Sequence, residues 1–129
     1  MEFNDNEAIY LQILGFVCDK ILTSQWVAGQ KILSVRELAV ELEVNPNTVM
    51  RSYELLQELK IVNNRRGQGL FVAEDGLEKA MAYRKQNFIA QYLPEFFKNL
   101  FLLGIPLDEI RRQYEVFVAK QVSGNHENK

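Results

Sequence analysis

Two helix-start signatures, Ser34-Val35-Arg36-Glu37 and Asn45-Pro46-Asn47, stand so close together that only a tight turn can join the helices they open. The first is a capping box. The serine hydroxyl can accept from the backbone N–H three residues on, while the Glu37 carboxylate reaches back to the N–H of Ser34. It predicts a short helix from about Val35 to Leu42, with Val35, Leu38, Ala39 and Leu42 on one face. Three turn residues follow. Asn45 then offers a capping amide, and Pro46 takes the first helical position, where its missing N–H costs nothing. This second helix is expected to run to about Lys60. Helix, tight turn and helix in this order make a helix-turn-helix unit.

At the helical period, Val49, Ser52, Tyr53, Leu56 and Leu59 of the second helix fall on one side and predict a core face. Asn47, Arg51, Glu54 and Glu58 lie opposite, with Thr48 on the flank. Glu54 and Glu58 would be repelled by phosphates, so any surface turned toward DNA is the N-terminal half, where the helix dipole is positive. Arg51 could instead pair with either acid on the helix surface. Downstream, Ile61-Val62 and Leu70-Phe71-Val72 have β character and are separated by Asn63-Asn64-Arg65-Arg66-Gly67-Gln68-Gly69. A glycine-tipped hairpin there could carry Arg65 or Arg66 into a minor groove, where the negative potential is strongest.

The flanking segments are helical in pattern. Asn4-Asp5-Asn6 offers capping oxygens for a helix from about Glu7, with an apolar stripe of Tyr10, Ile13, Leu14, Val17, Ile21 and Leu22. Cys18 reads as a small hydrophobe beside that stripe, and Trp26 as a plug in the core. From Leu77 to about Leu103 the chain is rich in aromatics, with Pro94 expected to kink or interrupt the helix. Gly104 suits its end, and Pro106-Leu107-Asp108-Glu109 starts a last helix. Two helices cannot bury so many large side chains against each other. Full burial of each stabilises by roughly 1.5–3 kcal/mol, so leaving several in water is a heavy loss. The expectation is a homodimer built on Ile89, Tyr92, Leu93, Phe96, Phe97, Leu100, Ile110, Tyr114 and Phe117. Residues 123–129 read as a disordered polar tail with an inert His126.

A chain of 129 residues holds one modest domain and an appendage. The fold class expected is mostly α: an N-terminal winged helix-turn-helix (residues 1–75, three helices plus a two-stranded wing) followed by a two-helix dimerisation region (76–122). No run approaches the roughly 20 apolar residues of a membrane span. The N-terminus lacks a basic segment followed by an apolar run, so a cytoplasmic location is expected. One cysteine excludes an internal disulfide, and no pattern of metal ligands, nucleotide loop or catalytic triad is present, so neither an enzyme nor a cofactor is expected. Net charge is −2, with −4 over residues 1–75 and +2 over the rest. Whole-chain charge therefore argues for no polyanion. Position counts for more, because salt screens surface charges beyond about 8–10 Å. Between Val44 and Ala73 four basic residues face two acidic ones.

The linked motifs Ile9-Tyr10-Leu11-Gln12-Ile13, Gly29-Gln30-Lys31-Ile32, Ser34-Val35-Arg36-Glu37-Leu38-Ala39, Val44-Asn45-Pro46-Asn47-Thr48-Val49, Arg51-Ser52-Tyr53 and Arg65-Arg66-Gly67-Gln68-Gly69-Leu70-Phe71-Val72 resemble the winged-helix domain of GntR-family bacterial transcription regulators. The short two-helix C-terminus resembles the YtrA subfamily. That resemblance implies a DNA-binding repressor acting as a homodimer on a palindromic operator, with contacts from Arg36, Asn45, Asn47, Thr48, Arg51, Arg65, Arg66 and Gly69. Two positions depart from the family pattern: Leu33 stands where proline is usual and Leu70 where threonine is usual. No small-molecule effector can be named from the sequence. A winged-helix module turned to protein contacts through its acidic surface is the rival reading.

Overall fold

Gln12 organises the N-terminus. In the computed structural model, which describes residues 1–127, its buried side chain accepts from the Asn4 N–H (3.0 Å) and donates to the carbonyls of Asn4 and Glu7 (both 2.8 Å). Helix α1 (Ile9–Leu22) therefore begins after Ala8 with no side-chain cap, not after the expected Asn4–Asn6 group. One amide supplying both donor and acceptor satisfies the leader's backbone, which a cap would otherwise have to do. Ile13, Leu14, Val17, Cys18 and Ile21 are buried along one face of α1.

Helix α2 (Val35–Leu42) has both halves of the capping box: Glu37 N–H to Ser34 Oγ at 3.1 Å, and Ser34 N–H to Glu37 Oε1 at 2.9 Å. Helix α3 (Pro46–Glu58) follows after three residues, capped by Asn45. Val49, Ser52, Tyr53 and Leu56 are buried, and Leu59, just past its end, packs partly buried on the same core. The Tyr53 hydroxyl donates to the carbonyl of Leu33 (2.7 Å), which binds α3 to the turn that precedes α2. Trp26 is half-buried against the core rather than inside it.

Strands β1 (Val62–Arg65) and β2 (Gly69–Val72) form an antiparallel hairpin in which Val62 pairs with Val72 and Arg65 with Gly69. The paired region is longer than expected. Asn63, Asn64 and Arg65 were expected in the loop, yet they join the ladder, and only Arg66-Gly67-Gln68 remains as the tip. Ladder bonds use the backbone alone, so three exposed polar residues can extend a strand that side-chain propensity would end at Val62. A third segment lines up on β2: Ile32 N–H bonds to Leu70 O, Val72 N–H to Gln30 O, and Gly29 N–H to Val72 O. Lys31 consequently sits beside Phe71.

Helix α4 (Gly76–Leu103) continues through Pro94, so of the expected kink or interruption the interruption does not occur. The proline removes one N–H, but Ala90 and Pro94 both lie on exposed surface, so the freed carbonyl stays open to water. Gly104 closes the helix at φ +66°, a left-handed conformation that suits glycine. Helix α5 (Leu107–Glu127) runs past the expected limit at residue 122; Asn128 and Lys129 lie outside the described residues. The first compact unit comprises Met1–Asn87 and so includes the first turns of α4. There Ala80 is buried, and Arg84 donates to Gly15 O (3.0 Å) and Asp19 Oδ1 (2.7 Å). A second unit begins at Phe88. No residue whose exposure is described there is buried.

Burial pushes the Cys18 thiol up to about 11, so almost none of it is thiolate near neutral pH. Iodoacetamide is expected to leave Cys18 unlabelled in the native protein and to modify it only after unfolding. Mass spectrometry checks this; rapid native labelling would show that α1 opens.

Candidate nucleic-acid interface

The start of α3 is built by its cap. The Asn45 side-chain Oδ1 accepts from the Asn47 N–H at 2.8 Å, which uses one free donor and leaves the positive end of the helix facing outward. Asn47, Met50 and Arg51 are exposed on that first stretch, and Thr48 is half-exposed. Asn45, Asn47, Thr48 and Arg51 line one shallow recess together with Ala8, Ile9 and Tyr10 of the α1 start. Arg51 does not pair with Glu54 or Glu58. Its guanidinium lies over the Tyr10 ring, 3.8 Å from the centroid, and among the described residues it forms no salt bridge. Stacking occupies the face of the guanidinium and leaves its N–H edge free to bond.

Arg36 sits exposed in the first turn of α2. Beside it, hydrogen bonds from the Ser34 backbone and hydroxyl hold the Glu37 carboxyl below its usual range, with a smaller contribution from Lys31. Glu37 is therefore ionised at neutral pH and engaged by its cap, as capping requires.

The hairpin carries the second group. Gln68 N–H bonds to Arg65 O (2.8 Å), closing a β-turn with Arg66 and Gly67 at its centre and Gly67 at φ +76°. Arg66 is thus displayed at the tip. Arg65 belongs to β1, opposite Gly69, and its guanidinium lies over the Phe71 ring, 4.0 Å from the centroid. Gly69 is required by its φ of +117°; a Cβ there would also come within 2.9 Å of the end of the Lys31 side chain, which is flexible enough to move aside. Lys31 therefore lies across the wing from outside the hairpin, adding an exposed cation that periodicity could not reveal, because its pairing with β2 is long-range. Met50 and Tyr10 were likewise not singled out. The helical wheel places Met50 on the rim of the exposed face, and Tyr10 reads as core. Leu70, in contrast, packs on the core.

Among the described residues no cluster of His, Cys, Asp or Glu could hold a metal ion, and no helix is long and apolar enough to cross a membrane. The arrangement offers hydrogen-bonding edges and positive charge on a helix start and a β-tip, a layout suited to a polyanion with grooves.

Residues 9–72 match the bacterial regulatory proteins of the gntR family. Over 90% of its length the chain is 34% identical to the HTH-type transcriptional regulator YhcF of Bacillus subtilis (strain 168), covering 94% of that protein. The chain belongs to the GntR family. It is a winged-helix, DNA-binding transcription regulator. It is also 28% identical to the HTH-type transcriptional repressor YtrA of Bacillus subtilis (strain 168), over 93% of this chain and 91% of that one. A solved GntR-family transcriptional regulator of Bacteroides thetaiotaomicron superposes with a TM-score of 0.76 at 44% identity, over 88% of this chain and 99% of the other. In this GntR-family chain the expected architecture of three helices, a two-stranded wing and two C-terminal helices is present.

Proposed function

We propose that this GntR-family regulator is a cytoplasmic repressor that binds a palindromic operator as a homodimer. The N-terminal half of α3 enters the major groove, where Asn47, Thr48 and Arg51 meet base edges and phosphates, and Asn45 and Arg36 approach the backbone. The wing lies beside the adjacent minor groove with Arg65, Arg66 and the close-approaching Gly69, and Lys31 joins them. The observation that carries the reading is the pairing of an exposed, cationic α3 start with an arginine-tipped wing in one compact unit. The repressor role is supported by likeness to a protein named as a repressor. Dimerisation is supported by the lack of a buried residue among those described in the second unit, where Phe88, Tyr92, Phe97, Phe101, Tyr114 and Phe117 are all more than half exposed. A second copy of that unit would cover them. Two-fold symmetry then places the half-sites about one helical turn apart, or a multiple of it.

Selection of bound duplexes from a randomised library, followed by fluorescence anisotropy at two salt concentrations, tests this reading. The expected result is a mirror-symmetric site whose affinity falls steeply with salt. Arg51→Ala is expected to weaken operator binding by about 10- to 100-fold. Unchanged binding by Arg51→Ala across the library would remove α3 as the recognition helix.

A further inference from the structure

A long arginine on an exposed helix ordinarily samples many rotamers, and ordering it at an interface carries an entropic cost. Arg51 is held before any ligand arrives. Its guanidinium rests on the Tyr10 ring at 3.8 Å. The Tyr10 backbone is anchored beside it: the fully buried Ser52 hydroxyl donates to the Tyr10 main-chain carbonyl at 2.6 Å, tying the first turn of α1 to α3 at the place where Arg51 projects. Tyr10 is half-buried and contributes little to the sealed core. Its hydroxyl has no hydrogen bond to another residue among those described, so what its ring offers is a flat π-face for a cation.

We propose that Tyr10 is a positioning residue for DNA binding, holding Arg51 in the conformation in which its N–H edge meets the DNA. The inference rests on the DNA-binding reading of α3 given above. Tyr10 need not touch DNA; it acts by removing the ordering cost of Arg51. The stack of Arg65 on Phe71 is similar, but Phe71 also belongs to the wing ladder, so replacing it would not separate the two roles.

The test is a double-mutant cycle on the full-length protein with the selected operator duplex. Tyr10→Phe keeps the π-face and is expected to bind within two-fold of the unmodified protein. Tyr10→Leu keeps apolar volume but loses the face, and is expected to weaken binding by about three- to ten-fold. In an Arg51→Ala background, Tyr10→Leu is expected to cause no further loss, a result that a purely structural role for Tyr10 would not produce. An equal loss in both backgrounds, or no loss in the first, overturns the proposal. A second measurement needs no substitution. In the DNA-free protein the Arg51 Nε–H is expected to be ring-current shifted and ordered by NMR relaxation, while that of Arg66 is mobile. An Arg51 Nε–H as mobile as that of Arg66 overturns the proposal even if Tyr10→Leu fails to fold. If the unmodified protein binds no duplex in a salt-dependent manner, the DNA reading of α3 fails first and this inference falls with it.

Discussion

Replacing both Phe97 and Phe117 with glutamate is expected to leave a folded N-terminal unit that sediments as a single protomer and binds the operator on the order of 100-fold more weakly. The two residues lie on α4 and α5, and each is more than half exposed in one chain. Exposed aromatic surface on that scale marks an interface. Covering it with a second copy stabilises the pair by roughly 1.5–3 kcal/mol for each side chain fully buried, whereas a carboxylate placed there must be desolvated without a partner. The effect on DNA follows from linkage. When two reading heads are joined, the second half-site is met at an effective concentration near millimolar, and joining can raise overall affinity by 10²–10⁴ without new contacts. Core residues such as Leu56 and Val49 belong to the other unit, so its melting is expected to change little. Analytical ultracentrifugation at micromolar concentration and anisotropy on full and half operators check both parts. A double variant that still sediments as a dimer would place the interface elsewhere.

Tyr53→Ala is expected to destabilise the N-terminal unit by about 3–5 kcal/mol, in the range for truncating a large buried ring. Tyr53 is 1% exposed, and its removal leaves a cavity bounded by a framework that cannot fully collapse. It also deprives the Leu33 carbonyl of its donor. Tyr53→Phe isolates that second effect and is expected to cost about 1 kcal/mol, since the Leu33 acceptor it leaves without a partner is only part-buried. Urea denaturation of the three proteins separates packing from hydrogen bonding. Equal stability of Tyr53→Phe and the unmodified protein would show that water reaches Leu33. The bond matters for function as well, because Leu33 precedes the Ser34 cap, and the position of α2 relative to α3 depends on that turn.

The helix-turn-helix was legible because its signals are local. A serine with a glutamate three residues on, and an asparagine before a proline, act through bonds within one turn of chain, and the observed helices α2 and α3 begin where those residues dictate. The core face of α3 was equally legible, since a period of 3.6 sorts its residues without knowledge of their partners. The misjudged features have other causes. Ala8 rather than the Asn4–Asn6 group precedes α1 because Gln12 folds back onto the leader, a contact no capping pattern encodes. The β1 strand includes Asn63, Asn64 and Arg65 because backbone pairing tolerates polar side chains on an exposed face. Pro94 stays inside α4 because the Ala90 carbonyl it leaves unpaired belongs to an exposed residue.

By itself the sequence determined the order of elements, the starts of α2 and α3 and the candidate polar edge of α3, since each depends on chemistry within a few residues. Only the tertiary structure decided where the arginines rest. Arg51 lies on Tyr10 and Arg65 on Phe71, while Lys31 crosses the wing from outside the hairpin. These placements join residues that are distant in the chain or lie on different elements. They arise from the way α1 meets α3 and residues 29–32 meet β2, and periodicity along a single element carries no information about such meetings.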